Sequence, residues 1–225
     1  VTKKGIIKRT KLAAFNNVRK AGLIAVDLDE GDHLALVQVT SGEDELIVAT
    51  RNGMAMRMSE TQVRELSRTA RGVKVMNLEE NDEIVGMDII RPEAMVLTVS
   101  ESGLGRLSSP EDYRLQKRGG KGLTNYHVDK FGPVAGVKMV SPEEDVILIA
   151  EDGVVIRIPA GDIRQCSRPS KGVRVMRLQE DNRIVTLASA PKEDDEAEES
   201  SEQPEQETVE TETLPKEQPP EEKPE

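Results

Sequence analysis

Gln116-Lys117-Arg118-Gly119-Gly120-Lys121-Gly122 packs three cations and three glycines into seven residues. Such a stretch is too polar for a core and too flexible for the interior of a helix or strand, so it predicts an exposed loop. Glycines let a backbone come close to a bulky anion, and lysine and arginine beside them neutralise phosphate charge. Taken alone, the heptapeptide reads equally well as a solvated turn with chance charge.

Recurrence removes the chance reading. The closing glycine reappears at Gly22, Gly72, Gly122 and Gly172, always 50 residues apart. Before these glycines stand Arg19 and Lys20, then Arg68 and Arg71, then Lys117, Arg118 and Lys121, then Arg168 and Lys171. A period near 50 residues marks propellers and related arrays, in which each repeat buries its apolar face against its neighbours.

Around each loop the spacing predicts two hairpins. In the second repeat, residues 45–50 are an apolar strand, Arg51-Asn52-Gly53 supplies an Asn-Gly turn, and residues 54–58 return with alternation. After the basic loop, residues 73–78 and 83–90 predict a second hairpin about the turn 79–82. The later repeats follow the same plan, with first hairpins at 95–107 and 146–158 and second ones at 123–140 and 173–188. Four strands per repeat is blade-like. Val73-Lys74-Val75-Met76-Asn77-Leu78 and Val173-Arg174-Val175-Met176-Arg177-Leu178 alternate apolar residues with polar or basic ones, which carries the basic face beyond the loop. The first repeat has its turn glycine at Gly5 and no residues for the strand before it. The expectation is a polypeptide that continues N-terminally, since an unpaired strand is an edge liability.

The net charge of -11 is misleading, because residues 191–225 hold 15 acidic residues and 3 lysines. The remainder carries 28 basic and 27 acidic residues and is nearly neutral. Half of the twelve prolines also lie in 191–225, where apolar residues are scarce, so the expectation is blades over 1–190 and a disordered acidic tail over 191–225. That tail serves solubility or competes electrostatically for the basic loops. A lone cysteine, Cys166, excludes internal disulfides, and with His33 and His127 it makes no structural zinc site, so no metal is expected. A reducing cytoplasm fits, and no apolar run approaches the roughly 20 residues that span a bilayer.

Aromatic residues are few: Phe15, Tyr113, Tyr126 and Phe131. Tyr113 stands where neighbouring repeats have Val63 and Ile163, which predicts a core position. Without aromatics recurring near the basic loops, base stacking on a single strand is disfavoured, and a duplex backbone is the better ligand.

On a background of 50-residue repeats with a Gly-x-x-x-Arg hairpin (Gly53 to Arg57, Gly153 to Arg157), the loop Gln116 to Gly122 resembles, at all seven positions, the box motif of the C-terminal domain of the bacterial DNA gyrase A subunit. The resemblance covers residues 1 to about 190, and an acidic tail is similar too. It implies an all-β, six-bladed β-pinwheel, of which this chain holds the last four four-stranded blades. It further implies a basic rim that bends duplex DNA, in an enzyme whose whole reaction is ATP-dependent negative supercoiling. The DNA-binding set expected from the recurring loops is Lys117, Arg118, Lys121, Arg68, Arg71, Arg168, Lys171, Arg19 and Lys20, with Gln116, Gly119, Gly120 and Gly122 shaping the loop. Cleavage would lie in an upstream core of the same polypeptide. The ATPase, with its ATP and Mg²⁺, would lie on the gyrase B subunit of a heterotetramer, so this chain would have no catalytic residue and no cofactor of its own. In place it departs from the family, whose box usually sits on the first blade. The C-terminal domain of the topoisomerase IV A subunit is the alternative within the family, and a propeller-like scaffold docking acidic proteins is the alternative outside it.

Overall fold

Neighbouring residues of a strand face opposite sides of a sheet, so Leu46-Ile47-Val48-Ala49, with no polar residue among them, must be covered twice over. The computed structural model, which describes residues 1–18 and 20–192, shows how. Leu46 and Val48 pack with Ile7, Met56, Met76 and Ile84 on one side. Ile47 and Ala49 pack with Ala55, Val96, Tyr113 and Val134 on the other. Each hairpin is thus a slab between two neighbours, and the core is divided into successive layers rather than gathered at one centre.

In chain order the described residues form β1 (Ile6–Ile7), β2 (Glu45–Thr50), β3 (Met54–Ser59), β4 (Val73–Lys74), β5 (Ile84–Ile89), β6 (Met95–Ser100) and β7 (Leu104–Ser108). They continue with β8 (Leu123–Thr124), the short helix α1 (Val128–Phe131), β9 (Val134–Val140), β10 (Glu144–Ala150), β11 (Val155–Pro159), β12 (Val173–Arg174) and β13 (Ile184–Pro191). The first hairpins form as the turn chemistry requires. β2 pairs antiparallel with β3, β6 with β7 and β10 with β11, about Gly53, Gly103 and Gly153, which hold φ of 82°, 81° and 87°.

The second hairpins do not form. Residues after each basic loop give only a two-residue strand, and that strand crosses to the preceding repeat: β4 pairs with β1, β8 with β3 and β12 with β7. The later strand of each repeat then pairs with its own first hairpin, β5 on β2, β9 on β6 and β13 on β10. The blade built this way has four strands, as expected, but one is borrowed from the repeat that follows: β5-β2-β3-β8 and β9-β6-β7-β12. The flanking sheets have three strands, β11-β10-β13, and two, β1-β4.

The closing glycines make the crossing possible. Gly72, Gly122 and Gly172 sit at φ 106°, 82° and 80°, and a Cβ on them would lie 2.6, 2.6 and 2.2 Å from the carbonyl oxygens of Ile7, Ala55 and Gly105. No side chain fits between the crossing chain and the strand it passes. Gly22, at φ 78°, has nothing within 4 Å of such a Cβ. Along the inner edges, Gly86 and Gly136 let β5 lie against β9 and β9 against β13, since their Cβ atoms would meet Val137 and Leu187 at 2.7 and 2.4 Å.

Tyr113 is fully buried, as its position predicted. In the first repeat, residues 34–40 correspond to β5 but form no strand, and Val37 and Val39 are 75% and 65% exposed. β13 reaches Pro191, and the expectation of a disordered tail falls on residues that, from 193 onward, lie outside those described.

Candidate nucleic-acid interface

The last three basic loops belong by sequence to one repeat each and lie by structure on the edge of the repeat before it. A single turn of 3-10 helix follows each first hairpin, at Glu60–Gln62, Pro110–Asp112 and Ala160–Asp162. The chain then runs alongside the preceding hairpin through parallel bridges Arg9↔Glu65, Arg57↔Leu115 and Leu107↔Gln165. Leu66, Gln116 and Cys166 donate their amides to the carbonyls of Arg9, Arg57 and Leu107. Three successive loops are therefore fixed at the same place, one on the segment that follows β1 and two on the β2–β3 and β6–β7 hairpins.

Within the third loop the lysines and arginine behave differently. Lys117 and Lys121 are exposed, and neither side chain has a hydrogen bond or ion pair among the described residues. The Arg118 guanidinium, though exposed, donates Nε to the Gln62 carbonyl (3.1 Å) and Nη1 to the Lys74 carbonyl (3.3 Å), while its amide reaches Gln62 Oε1 (2.8 Å). Gln116 is half-buried, its carbonyl accepting from Gln62 Nε2 (3.1 Å). Gly119, at φ 81°, donates its amide to the Val75 carbonyl (2.6 Å), and the Gly120 carbonyl accepts from the Asn77 amide (2.9 Å). Gly122 makes the crossing.

The other loops repeat part of this. Arg168 donates Nε to the Asp112 carbonyl (2.9 Å) and Nη1 to the Thr124 carbonyl (2.7 Å), with its guanidinium carbon 5.0 Å from the centre of the Tyr113 ring. Arg68 donates Nη1 to the Ile24 carbonyl (3.2 Å). Lys171 and Lys20 are exposed, with no side-chain partner among the described residues, whereas Arg71 is paired to Asp29 through both Nε and Nη2. That pairing holds the Asp29 carboxyl below its ordinary range and the Arg71 guanidinium above its own. Arg19 lies outside the described residues.

The carbonyl that receives Gly119 has equivalents in the neighbouring repeats, and cations serve them. Position 169, equivalent to Gly119, is proline and has no N–H to offer. There the Asn125 carbonyl is taken by Arg106, a fully buried residue that also bonds Asn125 Oδ1 (3.0 Å), Ser108 Oγ (2.8 Å) and the Ser170 carbonyl (3.1 Å). Position 69 is threonine, and there Lys8 donates to the carbonyls of Ala25 and Arg68. Burial, with the Arg68 charge beside it, pushes the Lys8 ammonium below its ordinary value.

Arg64, Arg114 and Arg164 escaped the sequence reading. All three are exposed, all three side chains lack a partner among the described residues, and each stands eight residues before its closing glycine. The same alignment that found the glycines contains them. Lys74, Arg174 and Arg177 are also exposed, so the basic character continues past the crossing as expected. Among the described residues no group of three or more His, Cys, Asp and Glu is placed to hold a metal, and no helix is long and apolar enough to cross a membrane. What the arrangement offers is a row of free cationic heads at fixed intervals along adjoining blade edges.

The family of the DNA gyrase C-terminal domain, beta-propeller, matches residues 1–41, 44–91, 94–140 and 144–191. A DNA gyrase A subunit from Halalkalibacterium halodurans is 55% identical over 74 residues, 33% of this chain and 9% of that protein. One from Clostridium acetobutylicum is 49% identical over 73 residues, again 9% of its length, so this chain aligns with about a tenth of those relatives. Among solved structures, the C-terminal domain of a DNA topoisomerase IV superposes with a TM-score of 0.80 at 27% identity, covering 85% of this chain and 60% of that one. A DNA gyrase A C-terminal domain gives 0.76 at 26% identity, covering 84% and 63%.

Proposed function

The chain belongs to the DNA gyrase C-terminal domain family of β-pinwheels, and from that premise we propose that it binds duplex DNA along its row of basic loops and bends it, as the C-terminal part of a gyrase A polypeptide. The observation that carries this reading is the set of exposed cations without a side-chain partner among the described residues, at equivalent places on consecutive blades: Arg64, Arg114 and Arg164, then Lys121 and Lys171, with Lys117 beside them. Their recurrence matters more than their number. A single patch would hold DNA at a point, whereas contacts repeated along an arc offset the cost of curvature, about 1 to 6 kcal/mol for 20 to 30 base pairs bent by 40 to 90°.

Backbone contacts of this kind ask nothing of base sequence and release counterions. With six to ten phosphates neutralised, affinity falls by about 10³ to 10⁵ between 50 and 200 mM salt. In the whole assembly, the upstream cleavage core, the gyrase B subunit, ATP and Mg²⁺ supply the chemistry, and this chain supplies the path of the DNA; its place is the bacterial cytoplasm, on the nucleoid.

The topoisomerase IV likeness supports a second reading, the equivalent domain of that enzyme. The complete box at 116–122 favours gyrase. Ligase-mediated closure of short DNA rings by the 225-residue chain tests the bending. Charge reversal at Arg64, Arg114 and Arg164, one at a time, is expected to lower both closure and the salt slope, the latter by about 1 each. A slope that changes for one repeat and not for the other two would instead support the protein-docking scaffold.

A further inference from the structure

Among the cations of the loops, one recurrent set does not face outward free. Arg68, Arg118 and Arg168 occupy the same place in three repeats, and each donates to the carbonyl of the residue 44 positions earlier: Ile24, Lys74 and Thr124. Those carbonyls belong to the post-loop segment of the preceding repeat, so each arginine ties its own loop to the loop before it. Arg118 and Arg168 add a second carbonyl, from Gln62 and Asp112 in the 3-10 turns. A guanidinium can do this because its donors form a rigid fork, while an ammonium is a point charge on a flexible stem.

We infer that Arg68, Arg118 and Arg168 are positioning residues that clasp consecutive basic loops together, and that the polyanion is met by Arg64, Arg114, Arg164 and the free lysines. This rests on the DNA-bending reading for its second half only. The clasp sets the interval between loops, and that interval decides whether successive cations meet successive phosphates along one arc.

Two further bonds cross the same junction and report on it. The Gly119 amide donates to the Val75 carbonyl and the Asn77 amide to the Gly120 carbonyl. If Arg118 is a clasp, its loss frees both, including Asn77 in the preceding repeat. Amide exchange at Gly119 and Asn77 should then speed up by at least about tenfold in Arg118→Ala, because a charged hydrogen bond no longer resists local opening.

The experiment compares the full chain with Arg118→Ala, Arg118→Lys and Arg114→Ala, reading amide exchange by NMR, the salt slope for a duplex of about 30 base pairs, and ring closure. The clasp predicts that Arg118→Ala and Arg118→Lys behave alike, with exchange accelerated, ring closure reduced and the salt slope unchanged, because no phosphate contact is lost. Arg114→Ala should lower the slope by about 1 and leave exchange alone. The inference is overturned if Arg118→Ala lowers the slope by about 1 and Arg118→Lys restores it, which is the behaviour of a phosphate contact. Unaltered exchange in both Arg118 variants overturns it equally. Should the unmodified chain fail to bind duplex at all, the DNA reading falls, and the exchange measurement still decides whether the arginines clasp the loops.

Discussion

The loop at 116–122 and the loop at 166–172 solve one problem in two ways. In the first, a glycine in the left-handed region turns its amide onto the Val75 carbonyl, and the strand beneath presents Met56. In the second, Pro169 has no amide, the equivalent Asn125 carbonyl goes to Arg106, and Arg106 stands where the other blade has Met56. Both residues lie three positions after their turn glycines, Gly53 and Gly103. The imperfect box is therefore a compensated one, and Gly119 acts inside the protein through its backbone rather than only giving a ligand room. A buried carbonyl left unmatched costs about 1 to 3 kcal/mol, and Arg106 supplies the donor that Pro169 lacks.

The sharpest way to break that equivalence is Arg106→Met, which copies the methionine of the neighbouring blade without its glycine. It strands the buried Asn125 carbonyl and unpairs the half-buried Ser170 carbonyl, and urea unfolding should show a loss of about 3 to 5 kcal/mol, in the range for removing one member of a buried charged network. Adding Pro169→Gly should recover part of the loss by restoring an amide. No recovery would show that the two loops are not interchangeable.

A smaller effect comes from the closing glycines. Gly172→Ala puts a Cβ 2.2 Å from the Gly105 carbonyl as well as a side chain in the left-handed region, and about 3 kcal/mol of destabilisation is expected. Gly22→Ala meets open space and carries the conformational cost alone, about 1 to 2 kcal/mol. Equal losses in the two variants would mean that the strand crossing is not what selects glycine.

The smallest change separates Arg71 from Lys121 and Lys171, its counterparts in the next two loops. Arg71 is tied to Asp29 and they are free, so Asp29→Asn should release a cation and raise the salt slope for duplex binding by about 1. Because the Asp29 carboxyl is held below its ordinary value, the pair is intact at neutral pH and is lost only as pH falls through that lowered value. Duplex affinity of the unmodified chain should accordingly show no step from this pair between about pH 6 and 8.

Much of this was readable in advance, and particular residues show why. The period emerged because glycine is the only residue that fits at 72, 122 and 172, and Asn52-Gly53 announced its hairpin through turn chemistry alone. Tyr113 was placed in the core by what its neighbours carry. The borrowed strand was not readable, since Leu123–Thr124 is too short for any periodicity and pairs with residues about seventy positions earlier. Arg106 carries no sign of burial either, as a cation in an alternating strand reads as surface until the missing amide of Pro169 is known. Arg64, Arg114 and Arg164 share the 50-residue period, but they lie outside the glycine-rich box and so carry no local signal of their own.

The lending of a strand backward along the chain also orders events at the ribosome. Met54 cannot gain its partner until Thr124 has been made and has left the exit tunnel, which at ordinary elongation rates is a wait on the order of several seconds. The β2–β3 and β6–β7 hairpins therefore emerge with this edge bare, and each is closed only by the arrival of the next repeat.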